Sequence, residues 1–313
     1  MSDRTGDRQA ENGKGAGGSG RVLVAGATGG LGTRIVRALA ACGAPVRVLV
    51  RPGTPLVRTE PLRRLGLEVV AVDLHHAATV TPACADVACV VSALNGLADT
   101  ILDAQTVLLD AAAAAGVPRF IPSDFALDFT RTPPGRNRNL DLRRDFHARL
   151  DRAPIRATSV LNGAFLDMLT GEMPLIQFGL RRVLSFDDPD QPLDFTAMDD
   201  IAAYTARAAL DPETPRILRI AGEVTTARGL AQAASEATGQ PFTVLRLGGP
   251  GLLTPMIALA RAFAPGRDQV FPAWQGMQYL RDMFEGRGKL APLDNDRYPG
   301  LAWTGVRDVL GRR

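Results

Sequence analysis

The sequence predicts an α/β fold: a doubly wound parallel sheet with an appended, smaller α+β region. Three observations carry that prediction. An apolar, β-like run beginning at Arg21 breaks directly into a glycine-rich turn and then into a helical pattern. Short apolar runs and helical segments alternate from there to Leu161, which is the pattern of parallel strands joined by right-handed crossovers. Beyond Leu161 the alternation loosens, as it does where an irregular half covers the carboxyl ends of the strands. The doubly wound domain is therefore expected over residues 21–161, and a region devoted mainly to substrate over 162–313, with some segments returning to the sheet.

In the first unit, Gly26, Gly29 and Gly32 stand in G-x-x-G-x-x-G spacing between the strand and an amphipathic segment, Thr33 to Ala41, with a second strand at Val46 to Val50. That context reads as the first βα turn of a dinucleotide-binding Rossmann domain. Gly26 permits the tight turn, Gly29 lets the backbone approach a pyrophosphate, and Gly32 allows close packing of helix on strand. Thr28, Gly30 and Leu31 complete the turn, and the phosphates are expected at the helix N-terminus. A short helix is expected at Thr59 to Leu65, with Pro61 in its first turn. Strand three is expected at Leu67 to Val72 and strand four at Cys89 to Leu94, whose Ser92 and Ala93 border the cofactor. A helix from Ile101 to Ala115 and strand five at Arg119 to Ser123 follow. A helix from Asn139 to Leu150 places Leu142, Phe146 and Leu150 on one face, and strand six is expected at Ile155 to Leu161.

After that come an amphipathic turn (Gly163 to Leu169), a hairpin region (Ile176 to Phe186), a helix (Met198 to Leu210) and a strand (Ile217 to Ile220). Helix-like segments are expected at Arg228 to Thr238, Leu252 to Phe263 and Trp274 to Phe284. Phe271, Trp274, Met277 and Tyr279 suit either a core or a pocket for a flat substrate.

A chain of 313 residues can bury a sizeable core. Its longest apolar segments, Ala111 to Val117 and Leu252 to Ala264, are too short or interrupted for a membrane span. Met1 to Gly20 is polar and glycine-rich, unlike a signal or transit peptide, and is expected to be a disordered tail. Cys42, Cys84 and Cys89 are odd in number and lack metal-ligand spacing, which fits a reduced, cytoplasmic setting and no metal. With a net charge of only +3 and scattered arginines, nucleic acid is not an expected partner.

Strand two ends in Arg51, and no acidic residue occurs between Gly32 and Glu60. A carboxylate there would hold ribose hydroxyls, whereas an arginine accommodates a 2′-phosphate, so the expected cofactor is NADP(H). Arg58 offers a second contact. Asp73 and Leu74, after strand three, either border the adenine or end the strand, and His75 and His76 are expected to cap that turn.

With the turn from Gly26 to Gly32, Arg51, Asp73-Leu74 and the run Gly116-Val117-Pro118-Arg119-Phe120-Ile121-Pro122-Ser123-Asp124-Phe125, the chain resembles the NmrA-like, isoflavone-reductase-like branch of the atypical short-chain dehydrogenases/reductases. The likeness is best over Arg21 to Leu169. It implies an NADPH-binding Rossmann domain, a C-terminal substrate region, and reduction of small aromatic or quinone-like compounds. It also implies a rival role, since some members bind the cofactor and regulate partners without catalysis.

Two departures bear on chemistry. The usual pairing of Tyr with Lys four residues later is absent, for Tyr204, Tyr279 and Tyr298 are followed at that distance by Ala208, Met283 and Ala302. The lysine that isoflavone-reductase-like members carry before strand six is also missing, since the only lysines are Lys14 and Lys289. Counting back from Thr158 puts Arg143 in that lysine's place. A guanidinium there would hold developing negative charge, with His147, four residues on, or an ordered water supplying the proton. A solvated helix face explains Arg143, Arg144 and His147 equally well. Ser123, at the carboxyl end of strand five, is either a substrate contact or a turn serine, and Asp124 a residue that holds it or a nearby arginine. The expected function is reduction of a small, largely apolar carbonyl, enone, quinone or imine by NADPH, with a catalytically silent NADP(H) sensor as the alternative.

Overall fold

In the first strand, β1 (Arg21–Ala25), Val22 and Val24 point to one side and Leu23 and Ala25 to the other, and none of the four is more than 1 % exposed. A strand buried on both faces needs cover on both. The computed structural model describes residues 20–171, 173–263 and 266–312. Apart from Gly20, the segment expected to form a tail lies outside them.

From β1 the chain runs through α1 (Gly30–Ala41), β2 (Val46–Val50), α2 (Leu56–Arg64), β3 (Glu68–Ala71), α3 (Ala77–Val80), β4 (Val87–Ser92), α4 (Gln105–Ala114), β5 (Arg119–Ile121), α5 (Arg138–Leu150) and β6 (Arg156–Ala157). These six strands form one parallel sheet in the order β3-β2-β1-β4-β5-β6. The order reverses between β1 and β4, which opens a crevice at their carboxyl ends. Ile35, Val36 and Leu39 of α1 cover Val22 and Val24, while Leu108 and Leu109 of α4 and Phe146 and Leu150 of α5 cover the opposite face.

The second half contains β7 (Ser159–Leu161), β8 (Ala164–Phe165), β9 (Ile176–Gln177), β10 (Arg182–Ser185), β11 (Leu193–Thr196), α6 (Met198–Leu210), β12 (Ile217–Arg219), β13 (Glu223–Thr225), α7 (Ala227–Thr238), β14 (Thr243–Arg246), α8 (Leu253–Phe263), α9 (Ala273–Phe284) and α10 (Val306–Leu310). Two of these pieces complete the first half. The chain expected as a single strand six divides its bonds at Thr158, whose N–H reaches Phe120 O at 3.0 Å, while the N–H of Ser159 reaches Arg216 O at 2.9 Å. Successive N–H groups of a strand point to opposite sides, so β7 pairs with β12 and the sheet gains a parallel strand from beyond residue 161. Helix α6 lies along α1, with Ile201 and Ala202 in the same apolar cluster as Ile35 and an Arg34–Asp199 ion pair at 2.8 Å.

A separate core gathers Phe195, Leu230, Trp274 and Phe284 with Leu127 and Phe129 from the loop after β5 and Leu140 from the first turn of α5. It therefore stands on the carboxyl ends of the strands, beside the crevice. The expected hairpin is the antiparallel pair β9 and β10, and β10 also pairs in parallel with β14.

Three local expectations are corrected. Helix α2 starts three residues early, because Pro55, with φ −57°, already leads the chain into it, and Pro61 then lies in its interior. One turn of π-helix, Asp99–Ala104, precedes α4. In α5 the buried face is Leu140, Arg143, Phe146 and Leu150, whereas Leu142 is only half-buried. An arginine thus occupies a position of the inward stripe.

Candidate active site

The glycine turn is closed by its own backbone. Gly26 has φ +84°, and a Cβ there would stand 2.4 Å from Ala93 O, the residue following β4. A Cβ on Gly32 would stand 2.1 Å from Gly26 O, so α1 can approach β1 only without a side chain at that position. Gly29 N donates to Gly26 O at 3.0 Å and Thr33 Oγ1 to Ala27 O at 2.9 Å. The N-terminus of α1 has no side-chain cap and no acidic residue in its first turn, leaving the N–H end around Gly30, Leu31 and Gly32 suited to an anion.

Around the turn, Arg58 donates to Thr28 O at 2.9 Å. The Arg51 guanidinium, exposed just past β2, has no hydrogen-bond or ion-pair partner among the described residues, and no carboxylate stands against it. On the floor, Ser92 is fully buried and its Oγ has no partner, while Ala93 N donates to Ala25 O at 2.8 Å. Asp73 is engaged locally, accepting from His75 N and pairing with His76 Nδ1, each at 2.9 Å. The backbone bond from His75 holds its carboxyl below the usual range. Leu74 packs on the core beneath. These residues fit a phosphorylated dinucleotide: a cradle that a Cβ would fill, an uncapped helix end, an orphaned hydroxyl on the floor and a free guanidinium at the ribose end.

The run at strand five is committed to structure almost residue by residue. The Arg119 guanidinium donates to Ala208 O at 2.5 Å and Ala209 O at 2.9 Å, satisfying the last carbonyls of α6. Phe120 and Ile121 are fully buried on opposite faces. Ser123 Oγ donates to Leu94 O at 2.5 Å and its N–H to Gln105 Oε1 at 2.9 Å, so the hydroxyl bonds the loop after β4 rather than its own turn. Asp124 is fully buried, and its Oδ2 meets His147 Nε2 at 2.5 Å and Ser159 Oγ at 2.6 Å.

His147 is held on every side. Besides Asp124, its Nδ1 meets Arg216 at 3.2 Å, its ring packs edge-on to Phe129 with centroids 4.8 Å apart, and Arg216 also donates to Ser159 Oγ at 2.7 Å. A neutral ring that donates from Nε2 and accepts at Nδ1 satisfies both contacts. Both ring nitrogens expected to handle the proton are thus engaged within the protein.

Arg143 lies one turn before His147 and is 8 % exposed, so the pair does not form a solvated face. A crossover helix returns antiparallel to the strands, which puts the first turns of α5 at their carboxyl ends, beside the crevice. One Arg143 Nη donates to Asn139 O at 2.9 Å, and its buried Nε has no partner. Against the start of α5 packs α9, where burial pushes the Tyr279 phenol above its ordinary value. The two helices are clamped together by Asn137, which caps α5, donates to Asp282 Oδ2 at 3.0 Å and accepts from Gln275 Nε2 at 2.7 Å. Gln278 Oε1 accepts from Arg138 N at 3.1 Å.

A model of the NmrA-like family matches residues 18–265. The chain belongs to that family. Pinoresinol reductase 1 of Arabidopsis thaliana is 34 % identical over 210 residues, a stretch spanning 62 % of this chain and 66 % of that protein. Bifunctional pinoresinol-lariciresinol reductase 1 of Thuja plicata is 30 % identical over the same shares. The chain thus matches just under two thirds of the length of these curated relatives. Among solved structures, AtPrR2 with NADP+ and (+)pinoresinol superposes with a TM-score of 0.78 at 25 % identity, covering 95 % of this chain and 99 % of that one. Leucoanthocyanidin reductase with NADPH from Vitis vinifera, 20 % identical over 94 % and 99 %, also gives 0.78 and shares the fold.

In this NmrA-like protein, sequence reading singled out the glycine turn, Arg51 and Arg143 but gave no sign of what surrounds Arg143. Asn137, Gln275 and Asp282 carry no motif and meet only because α9 folds back on α5. Ser159 and Arg216 likewise come together only through the β7–β12 pairing. Of the four pocket-or-core residues, Trp274 is core, 3 % exposed between the guanidinium groups of Arg138 and Arg261 at 4.6 and 5.0 Å, and Met277 packs at the edge of that core. Tyr279 and Phe271 stand at the margin, the latter 49 % exposed, with ring centroids 6.4 Å apart.

Proposed function

We propose that this NmrA-like protein is an NADPH-dependent reductase of a small, largely apolar, oxygen-bearing aromatic compound. The observation that carries the reading is the free Arg51 guanidinium beside an uncapped glycine-turn helix, the arrangement that a 2′-phosphate and a pyrophosphate require together. Relatives named as pinoresinol reductases, and a solved structure titled with NADP+ and (+)pinoresinol, support a lignan-like aromatic as the substrate class. NADPH, when bound, supplies hydride. Gly26, Gly29 and Gly32 admit the pyrophosphate, Arg51 and Arg58 hold the 2′-phosphate, and Ser92 and Ala93 line the floor. Arg143 stabilises negative charge that develops on a substrate oxygen. Arginine in place of the family lysine favours a second reading, a catalytically silent NADP(H)-binding regulator.

Calorimetric titration tests the cofactor. A charge-assisted bond to the 2′-phosphate is worth about 1.5–3 kcal/mol, so NADPH should bind roughly ten- to a hundredfold more tightly than NADH, and Arg51→Ala should abolish that preference. Equal affinities in the unaltered protein would remove the assignment. Loss of NADPH absorbance with (+)-pinoresinol, quinones or enones then separates the readings: turnover supports the reductase, and cofactor binding without turnover of any of them supports the regulator.

A further inference from the structure

Helix α8 is apolar over more of its surface than its place in the fold uses. Leu253 and Ile257 are buried, and Ala260 packs on the core that holds Trp274 and Phe284. Arg281 of α9 donates to Thr254 Oγ1 at 3.3 Å, and the Arg261 guanidinium lies over the Trp274 ring at 5.0 Å. Those contacts fasten α8 to α9 by one side. Elsewhere on the helix Met256, Leu259 and Phe263, with Leu252 from the turn just before it, face solvent, from 40 % exposed at Met256 to 83 % at Phe263. At about 100° per residue these four fall within about 60° of one another, a single stripe along the helix.

Their spacing identifies the occupant. Four, three and four residues apart, they follow the a/d repeat of a coiled-coil seam, whose complement is another helix. The spacing also reads the same in both directions. A second α8 laid antiparallel on the first therefore sets Leu252 against Phe263 of the other copy and Met256 against its Leu259, the reciprocal pairing that a two-fold contact demands. Pro255 and Ala262, which border the stripe, carry no charge, so the contact brings no like charges together. A lipid surface is the poorer fit, because the one charged residue of α8, Arg261, lies over Trp274 on the opposite side of the helix and cannot flank the stripe as a cation. We infer that this protein pairs with a second copy of itself through α8, antiparallel and two-fold, with Leu252, Met256, Leu259 and Phe263 as the seam. Each copy contributes a helix of only 11 residues, so the interface is small and the association is expected in the micromolar range.

Sedimentation equilibrium at about 100 µM chain should give twice the mass of the chain. Met256→Glu/Leu259→Glu should give the mass of a single chain, with far-UV circular dichroism and NADPH affinity unchanged. Disulfides read the register in a Cys42→Ala background, which removes the exposed native thiol. A mixture of Leu252→Cys and Phe263→Cys should cross-link under mild oxidation, and neither variant should do so alone. In the antiparallel pairing the two copies of residue 252 are about 16 Å apart, whereas a disulfide needs Cα atoms within about 7 Å. A parent protein that stays monomeric at this concentration overturns the inference, and so does a dimer that survives Met256→Glu/Leu259→Glu or that cross-links only between like positions. Flotation of a monomeric parent protein with vesicles of phosphatidylcholine and phosphatidylglycerol, lost in Met256→Glu/Leu259→Glu, would overturn it in favour of a lipid surface.

Discussion

At the scale of single residues, the strand-five run shows how a distinctive string of letters can be spent on architecture. Arg119 closes the end of α6, Ser123 fastens the β4 loop, and Asp124 binds two partners from α5 and β7. Its serine, acid and nearby histidine have the composition of a catalytic set, but Asp124 and Ser159 both meet the same ring nitrogen of His147, so no relay runs through them. Truncating His147 leaves Asp124, 1 % exposed, with Ser159 as its remaining side-chain partner. His147→Ala should therefore cost about 2–3 kcal/mol in urea unfolding and leave kcat/KM of the folded fraction within about twofold. An unaltered midpoint, together with a kcat/KM lowered by about tenfold or more, would restore a chemical role to His147.

At the scale of elements, the start of α5 is tied to α9 by a clamp that contains a buried acid. Asp282 is fully buried, and its Oδ1 has no hydrogen bond but an ion pair with Arg136 at 3.9 Å; desolvation raises its pKa, while the Asn137 hydrogen bond and the charges of Arg281 and Arg136 act against that rise. A carboxyl whose folded value lies above its unfolded one contributes most below the unfolded value, near 3.8, and loses that contribution as pH rises through the folded value. Asp282→Asn, which keeps the shape and removes the charge, should thus be more favourable relative to the parent protein at pH 7.5 than at pH 4.5. The expected change is about 1.4 kcal/mol for each unit of elevation. Urea unfolding of both proteins at the two pH values measures it, and a difference independent of pH would mean that the Asp282 carboxyl is unperturbed. Periodicity pointed to both helices, yet it set Leu142 in the inward stripe of α5 where the structure sets Leu140 and Arg143, because hydrophobicity alone does not register a guanidinium satisfied by a carbonyl of its own helix.

At the scale of the whole molecule, the chain crosses residue 161 several times. Helix α6 covers α1 and β12 extends the sheet, so residues 21–161 alone would expose one apolar face and an unpaired β7. That fragment should bind the dye ANS, show no cooperative thermal transition and fail to hold NADPH, whereas the full chain should melt cooperatively. A fragment that melts cooperatively and binds NADPH would show that the first half stands alone.

Local chemistry was enough to read the first half from sequence. A strand-turn-helix with glycines where a Cβ would strike Ala93 O or Gly26 O, alternating apolar runs, and an arginine in place of an acid after β2 are each properties of a few consecutive residues. The surroundings of Arg143 depend instead on residues more than a hundred positions apart, Asn137 with Asp282 and with Gln275, and on a strand that bonds Phe120 on one side and Arg216 on the other. Such contacts have no period or spacing in the chain, because they arise from the packing of α9 on α5 and of β12 on β7. Only the tertiary structure could show that His147 is gripped by Asp124 and Arg216, and that Asn137 ties α5 to α9.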